Sequence, residues 1–161
     1  MSDTDFSHVD KKTGLPAMVD VGDKAVSLRV ATASCRVVLG KEIMQRLSGG
    51  TDLMTKKGPV FQTAIIAGTM GAKKTSDLIP LCHPLGMDDC KITVDPQGDT
   101  AVIVRCTTKV TGKTGVEMEA LTGVSVAALT IYDMCKGMSH DIRIQDLQLE
   151  EKKGGKRDFK R

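Results

Sequence analysis

The chain has 161 residues and a mass of 17.2 kDa, which fits one domain because two domains of this total length would each have a small core. Hydrophobic residues make up 40% and charged residues 27%, a globular composition that excludes a wholly disordered chain. Aromatic residues are only 2%, so the core must be aliphatic and little can stack on nucleic-acid bases. The net charge is +3, but six of the last ten residues are basic; we therefore predict a basic C-terminal tail at 152–161 and no nucleic-acid partner.

The five cysteines are an odd number without a Cys-x-x-Cys pair, which fits neither a disulfide framework nor a zinc ribbon. They indicate a reducing, cytoplasmic compartment. The N-terminal residues are polar, without the apolar core of a signal peptide, and we predict a mobile arm over about 1–16. The longest uncharged apolar stretch, 120–132, is shorter than the roughly 20 residues that span a bilayer. We expect a cytoplasmic protein with no membrane partner.

The first half of the chain predicts one strand followed by two helices. Residues 24–39 carry β-branched residues in rough alternation, which is typical of a long strand. Residues 41–48 predict a short helix. Pro59 fits the first turn of a longer helix over about 59–75, where small and apolar residues recur at helical spacing.

Two prolines, Pro80 and Pro84, exclude a helix in the next segment, which is apolar but irregular. After it, residues 89–96 and 100–110 alternate on either side of the turn Pro-Gln-Gly-Asp. This pattern predicts an antiparallel hairpin.

The last part of the chain predicts a long helix and a final strand. Thr114 and Glu117 match a capping box, and the helix they open continues to about Lys136 before Gly137. The segment DIRIQDLQLE alternates and then shifts phase, as in a strand with a bulge. The order β-α-α-β-β-α-β indicates an α+β fold, an antiparallel sheet packed against two long helices. Small residues on both long helices indicate close approach of another backbone: Ala64, Gly68, Ala72, Ala120, Gly123 and Ala127.

The segment Leu81-Cys82-His83-Pro84 is the first candidate site. Its prolines can hold an imidazole that titrates near neutrality at a fixed angle. The alternative is a buried loop in which a backbone carbonyl satisfies His83. Partners for a nucleophile or a metal site are not found at suitable spacing.

The second candidate is the pair Glu117 and Glu119, which lie about 200° apart around a helix. Because they face nearly opposite ways, we expect one of them to be only solvated. The third is Asp133 with Lys136, which at i,i+3 form either a surface ion pair or an acid/base pair in which the carboxylate orients the ammonium.

The fourth candidate, Lys56-Lys57-Gly58, is either a solvated loop or a flexible cation for a phosphate or for proton transfer. The tail at 152–161 lacks the Walker A pattern. We predict that the tail is disordered, with a phosphate-binding cover as the alternative.

Three segments, LIPLCHPL, KTGVEMEALT and SVAALTIYDMCK, together resemble the cyclic pyranopterin monophosphate synthase family of molybdenum-cofactor biosynthesis. MVDV at 18–21 and GGK near the C-terminus fit the same family, so the resemblance spans nearly the whole chain as one domain, 1–161. It implies a ferredoxin-like fold and a lyase that converts a cyclic dihydroguanosine triphosphate to cyclic pyranopterin monophosphate with release of diphosphate. It also implies a homohexamer, a trimer of dimers, with active sites at dimer interfaces.

The resemblance also assigns residues. It implies that Asp133 is the catalytic carboxylate, with Lys136 beside it, and that Lys57 is the catalytic lysine of a mobile loop. The family pattern has Lys-Gly-Asp where this chain has Lys57-Gly58-Pro59, which leaves Lys56 as an alternative. The implied substrate-binding residues are Leu81, Cys82, His83, Glu117, Met118 and Glu119, with Arg29 and Lys73 at the phosphates.

Glu119 and Asp133 are fourteen positions apart, about 21 Å along one straight helix. If both line one site, either different subunits supply them or the helix begins after Glu119. The reaction needs proton transfer and displacement of diphosphate, and we hypothesise that Lys57 and Lys136 act as acid and base on opposite sides of the substrate. This requires burial or a neighbouring cation to bring one lysine pKa towards neutrality. Asp133 would orient Lys136, and His83 would contact the pterin or a phosphate.

No metal site and no required cofactor are predicted, although Mg²⁺ can arrive with the substrate triphosphate. Two alternatives to an enzyme stay open. One is a non-catalytic nucleotide- or pterin-binding module of the same pathway. The other is a scaffold whose family-like segments are only oligomer contacts.

Overall fold

The computed structural model describes residues 8–47 and 50–161. Its strands are β1 Ser27–Val38, β2 Met54–Thr55, β3 Gly58–Pro59, β4 Asp89–Gln97, β5 Ala101–Gly112, β6 Arg143–Lys153 and β7 Phe159–Lys160. Its helices are α1 Lys41–Met44, extended by a 3₁₀ turn over Gln45–Leu47, α2 Val60–Lys73, α3 Thr75–Leu78 and α4 Glu117–Cys135. Five strands form one antiparallel sheet in the order β4-β5-β1-β6-β7, and β2 and β3 form a separate ribbon. The expected α+β, ferredoxin-like class is confirmed.

The central strand β1 places the core on one face of the sheet. It pairs with β5 along its whole length, from Ser27 opposite Gly112 to Val38 opposite Ala101. Alternate residues from Ala31 to Val37 are at most 1% exposed and pack beneath the helices, whereas Leu28 on the other face is 58% exposed. This alternation follows from the period of two in a strand, and the predicted strand is confirmed with a start three residues later.

Helices α2 and α4 lie against each other at glycine contacts. A Cβ built on Gly68 would be 2.7 Å from the carbonyl oxygen of Gly123 and 3.0 Å from the Cβ of Ala127. The close approach predicted from the small residues is therefore confirmed, and the partner backbone lies in the same chain. Glycine is tolerated inside these helices because a larger residue would separate them.

The start of α2 is fixed by a side chain from the preceding loop. Asp52 accepts hydrogen bonds from the backbone N–H groups of Phe61 and Gln62, at 2.7 and 2.9 Å. The helix therefore begins at Val60, and Pro59 lies just before it in an extended conformation instead of in its first turn. This capping ties the loop that carries Lys57 to the helix.

The capping box expected at Thr114 and Glu117 is wrong. Within the described residues no side chain caps α4, which begins at Glu117 itself. Thr114 therefore lies before the N-cap position, and one oxygen of the Glu117 carboxylate instead binds Lys152 of β6 at 3.0 Å. The long helix is otherwise confirmed and ends at Cys135.

The C-terminal segment is ordered by pairing, so the prediction of a disordered tail is also wrong. Strand β6 runs to Lys153 with two register shifts against β1, which confirms the predicted bulge. A turn at Gly154, whose φ is 85°, then brings β7 back against Glu151 and Lys152. The Asp158 carboxylate closes this turn by accepting the N–H of Gly154 at 3.0 Å.

The predicted N-terminal arm is only partly described. Residues 1–7 lie outside the described residues. After them a turn is closed by a bridge between Val9 and Pro16 and by Asp10, which accepts the N–H of Thr13 at 2.7 Å. The mobility of the arm stays a prediction.

Candidate active site

Asp133, Lys136 and Lys57 meet at the C-terminal end of α4. Lys136 Nζ is 2.6 Å from one carboxylate oxygen of Asp133, and Lys57 Nζ is 3.0 Å from the other. Lys57 also donates to the backbone carbonyl of Asp133 at 3.3 Å. The three residues that the sequence suggested as catalytic therefore form one cluster, with a carboxylate between two ammonium groups.

The β2–β3 ribbon presents Lys57 to this cluster. Thr55 organises its turn, since the hydroxyl donates to the carbonyl of Gly58 and accepts the N–H of Lys57, both at 3.1 Å. Gly58 has a φ of 106°, a conformation that favours glycine. Pro59 then continues in the extended conformation, so its presence in place of the family's aspartate is compatible with a lysine that reaches Asp133. Lys57 is the lysine in this contact, whereas Lys56 lines the neighbouring cavity.

A cavity of about 420 Å³ opens beside the cluster. Its charged lining comprises Arg46, Lys56, Lys57, Lys136 and the single carboxylate of Asp133. Such an excess of positive charge favours an anionic ligand.

Hydrogen bonds within the cluster set its protonation. Those from Lys136 and then Lys57 lower the pKa of Asp133 to about 2. The hydrogen bond to Asp133 in turn raises the pKa of Lys136. The Asp133 carboxylate therefore favours the charged form of Lys136 in the single protomer. A shift of one lysine pKa towards neutrality stays a prediction. In this state Lys136 is an ammonium that can donate a proton.

A second, more basic cavity of about 240 Å³ lies at the N-terminal end of α4. Glu117 and its partner Lys152 are part of its wall. The other basic residues around it are Lys24, Arg29, Lys113, Lys153 and Lys156. In the described part of the chain, one buried side-chain nitrogen or oxygen has no hydrogen-bond partner. It is the Nε of Arg29. A buried guanidinium N–H without an acceptor, in a basic cavity, is suited to a bound anion.

Sequence reasoning identified Arg29 and Glu117 here but missed the surrounding lysines. Lys152 and Lys156 belong to the tail that was predicted to be disordered. The Gly-rich run KKGGK contains these lysines, and its alternative interpretation as a phosphate-binding cover could have identified them. Its turn at Gly154 passes so close to the carbonyl oxygen of Leu28 that a side chain at 154 would not fit.

Glu119 is 5% exposed, and its burial raises the pKa of its carboxyl. Because Glu117 is paired with Lys152, neither glutamate is merely solvated, and that expectation is wrong. Met118 between them is 37% exposed.

The segment Leu81-Cys82-His83 lies partly buried between α3 and β4. The pKa of the Cys82 thiol is raised first by burial and then by the charge of Glu119. The segment therefore lies close enough to α4 to interact electrostatically with Glu119. Lys73, at the end of α2, lies instead at another cavity, beside Cys90, so Arg29 and Lys73 line different cavities in one protomer.

The two charged cavities are too far apart for one protomer to hold a single small substrate in both. Helix α4 is continuous from Glu117 to Cys135, so Glu119 and Asp133 are about 21 Å apart along its axis. Because α4 begins at Glu117, the alternative in which the helix begins only after Glu119 is excluded.

Within 8–47 and 50–161, no three His, Cys, Asp or Glu side chains cluster in a way that would hold a metal ion. No helix in these ranges is both long and apolar enough to cross a membrane.

Comparison with known proteins agrees with the sequence resemblance. A protein named cyclic pyranopterin monophosphate synthase from Xanthomonas axonopodis pv. citri is 51% identical over 154 residues, 96% of this chain and 92% of the relative. One of the same name from Campylobacter jejuni is 50% identical over 152 residues, 94% of each chain. A molybdenum cofactor biosynthesis bifunctional protein from Synechocystis is 50% identical over 157 residues, 95% of this chain and 45% of the longer relative. The profile of the MoaC family matches residues 18–155, and the chain belongs to that family.

Proposed function

We propose that this chain is a cyclic pyranopterin monophosphate synthase, a lyase of molybdenum-cofactor biosynthesis. Its substrate is a cyclic dihydroguanosine triphosphate, and its products are cyclic pyranopterin monophosphate and diphosphate. The observation that carries the proposal is the Asp133 carboxylate held between Lys57 and Lys136 in a cationic cavity. A family member that had lost catalysis would not need to keep this arrangement.

The chemistry of the products defines what the site must supply. A cyclic monophosphate and diphosphate arise from a triphosphate when a hydroxyl of the substrate attacks the α-phosphorus and the diphosphate leaves. Cations must neutralise the leaving diphosphate, and an acid must supply a proton. We assign the role of that acid to Lys136, which Asp133 holds at 2.6 Å, and the role of the second cation to Lys57.

The basic cavity at the other end of α4 is suited to the triphosphate. Its lysines, together with the unpaired Nε of Arg29, provide donors for phosphate oxygens. Glu119, Cys82 and His83 would then contact the pterin-forming part of the substrate, near the same end of the helix. Mg²⁺ would accompany the triphosphate as part of the substrate.

The distance along α4 supports a site shared between two copies of the chain, one supplying the Asp133 cluster and the other the basic cavity. Exposed apolar side chains on the two long helices support assembly, since Ile66, Met70 and Leu129 are 63%, 56% and 59% exposed. We propose a homohexamer, a trimer of dimers, with its active sites at the dimer interfaces. A cytoplasmic location is also part of the proposal, and all five cysteines are free thiols.

The test is to incubate the purified protein with the cyclic dihydroguanosine triphosphate and to measure both diphosphate and the pterin product. Asp133→Ala and Lys136→Ala are expected to lower kcat by about a hundredfold or more, because each removes part of the acid. Lys41→Ala is the matched control, since Lys41 also pairs with an aspartate, Asp99 at 3.1 Å, but outside the site. Full turnover in Lys136→Ala would remove that residue from the mechanism. Tight binding without diphosphate release would favour the non-catalytic module.

A further inference from the structure

Two cysteine thiols face each other across neighbouring strands, away from the proposed catalytic cluster. Cys90 lies on β4 opposite Thr108, and Cys106 lies on β5 opposite Ile92, so the two cysteines are diagonal neighbours on the same face of the sheet. Their Sγ atoms are 3.9 Å apart. The proposed reaction makes no use of this pair.

The two thiols differ in access. Cys106 is fully buried, and a Cβ built on Gly123 of α4 would be 2.8 Å from its sulfur. The helix therefore confines this sulfur on one side. Cys90 is only partly buried and lines a cavity of about 530 Å³ together with Thr69 and Lys73. A small reagent can reach Cys90 through this cavity, whereas Cys106 is sheltered behind it.

The surroundings also favour the thiolate of Cys90. The hydrogen bond with Cys106 lowers the pKa of Cys90, and Thr69 and the charge of Lys73 act in the same direction, against burial and the charge of Asp89. The same hydrogen bond and burial raise the pKa of Cys106. Burial raises the pKa of each remaining cysteine thiol: Cys35, Cys82 and Cys135. Because the thiolate is the reactive form and Cys90 also lines the cavity, we expect Cys90 to react before the other cysteines.

We propose that Cys90 and Cys106 are a modification site at which a peroxide forms a disulfide between β4 and β5. The Cys90 thiolate attacks one peroxide oxygen, the O–O bond breaks, and a sulfenic acid and one water form after protonation. The Cys106 sulfur then attacks the sulfenic sulfur, the S–O bond breaks, and a second water leaves as the S–S bond forms. Two thiols are oxidised and one hydrogen peroxide is reduced to two waters.

The register indicates that this disulfide is readily reversed. The sulfur atoms must approach from 3.9 Å to about 2 Å. Diagonal neighbours in an antiparallel pair have Cα atoms roughly 7–8 Å apart, beyond the usual limit of about 6.8 Å for a disulfide, so the edge strand β4 must shift relative to β5 when the bridge forms. A strained disulfide has a high reduction potential, so a small thiol such as glutathione will reduce it.

The first experiment uses the wild-type protein. The reduced protein is exposed to hydrogen peroxide at pH 7, the remaining thiols are blocked with N-ethylmaleimide, and the peptides are identified by mass spectrometry. We expect a Cys90–Cys106 cross-linked peptide that dithiothreitol removes. Without peroxide, we expect Cys90 to react with iodoacetamide about tenfold faster than Cys82, because Cys82 has a smaller thiolate fraction at pH 7.

The variants separate the roles of the two sulfurs. In Cys106→Ser the cross-link cannot form, and we expect Cys90 to accumulate as a sulfenic acid that a 1,3-dione reagent traps. The matched control is Cys35→Ala, which removes a buried thiol from β1 and should leave the cross-link unchanged. Circular dichroism verifies that each variant is folded. Oxidation of Cys82 before Cys90, or a disulfide between chains in place of Cys90–Cys106, would overturn the proposal. Because the readout is the modified peptide, it does not depend on turnover of the proposed substrate.

Discussion

At the scale of single residues, the protonation of the Asp133 cluster is decided by direct contacts and not by burial. Asp133 is more than half exposed, with 54% of its side chain accessible, yet its pKa is lowered because each carboxylate oxygen has its own ammonium partner. Lys136 is likewise exposed, and its pKa is raised by the same contact. The contact therefore favours the ammonium form of Lys136 in the free protein, so base catalysis by Lys136 would first require the loss of its proton.

The pH dependence of this cluster follows from the sign of the shift. The pKa of Asp133 falls from 3.8 to about 2, so the ion pairs stabilise the cluster fully above pH 3.8 and are lost as the pH falls through about 2. A carbon-detected NMR titration of the Asp133 carboxyl should show this low midpoint. Lys136→Ala should raise the midpoint towards 3.8, because the largest cause of the shift is removed.

Lys109→Ala is the control for that titration. Lys109 of β5 pairs with Asp89 of β4 at 3.5 Å, outside the Asp133 cluster on α4. Its removal should therefore leave the midpoint of the Asp133 titration unchanged. An unchanged midpoint in Lys136→Ala would show that the contact between Lys136 and Asp133 is not populated in solution.

At the scale of elements, glycine contacts fix how closely α2 and α4 pack against each other. Gly68 and Gly71 of α2 lie against Gly123 and Val126 of α4. A Cβ at Gly68 would meet the Ile92 side chain and the backbone carbonyl of Gly123, and the carbonyl cannot move aside unless the whole helix moves. The distance between the helices therefore depends on the absence of a single methyl group.

Gly68→Ala is therefore expected to destabilise the protein, even though alanine favours a helix by about 1 kcal/mol. Overpacking of about 1–3 kcal/mol should exceed that gain, because the new Cβ would lie 2.7 Å from the carbonyl oxygen of Gly123. Urea unfolding measures the difference. Gly86→Ala is the control: a Cβ there meets nothing within 4 Å, so its effect should stay within about 0.5 kcal/mol. A Gly68→Ala protein as stable as wild type would contradict this account of the packing.

At the scale of the whole molecule, two charged cavities lie at opposite ends of the one helix α4. Neither end of α4 alone combines the Asp133 cluster with the phosphate donors around Arg29. A symmetric contact between two copies can bring the N-terminal end of α4 in one copy next to the C-terminal end of α4 in the other. Assembly would thus be required for catalysis and not only for stability.

Subunit complementation tests this. Asp133→Ala and Arg29→Ala are each expected to be inactive as pure proteins. The two variants are then co-assembled in equal amounts. A site is intact only if one subunit keeps Asp133 and its partner keeps Arg29. Each condition holds for about half of the subunits, so turnover should recover to about a quarter of the wild-type value. Differently tagged chains allow the mixed species to be isolated. Mixed assemblies without any recovery would show that one protomer supplies both ends.

Much of the fold was predictable because it is local. The alternation in β1, the hairpin of β4 and β5 and the length of α4 depend on residues close together in the chain, and their boundaries shift by only a few residues. The small residues at Gly68 and Gly123 predicted a close contact, but periodicity could not show that the two helices contact each other. The short helix α3 before the two prolines was also not predicted.

The sequence by itself determined the class of fold, the i,i+3 contact of Asp133 with Lys136 and, through its long motifs, the family. Tertiary structure decided the rest, because those contacts join residues far apart in the chain. It brought Lys57 to Asp133, and it turned Glu117 from a helix cap into the partner of Lys152. It also ordered the C-terminal tail against β6 and left the Nε of Arg29 buried without a partner. Charge and burial act through space, and local periodicity carries no information about which distant side chains will meet.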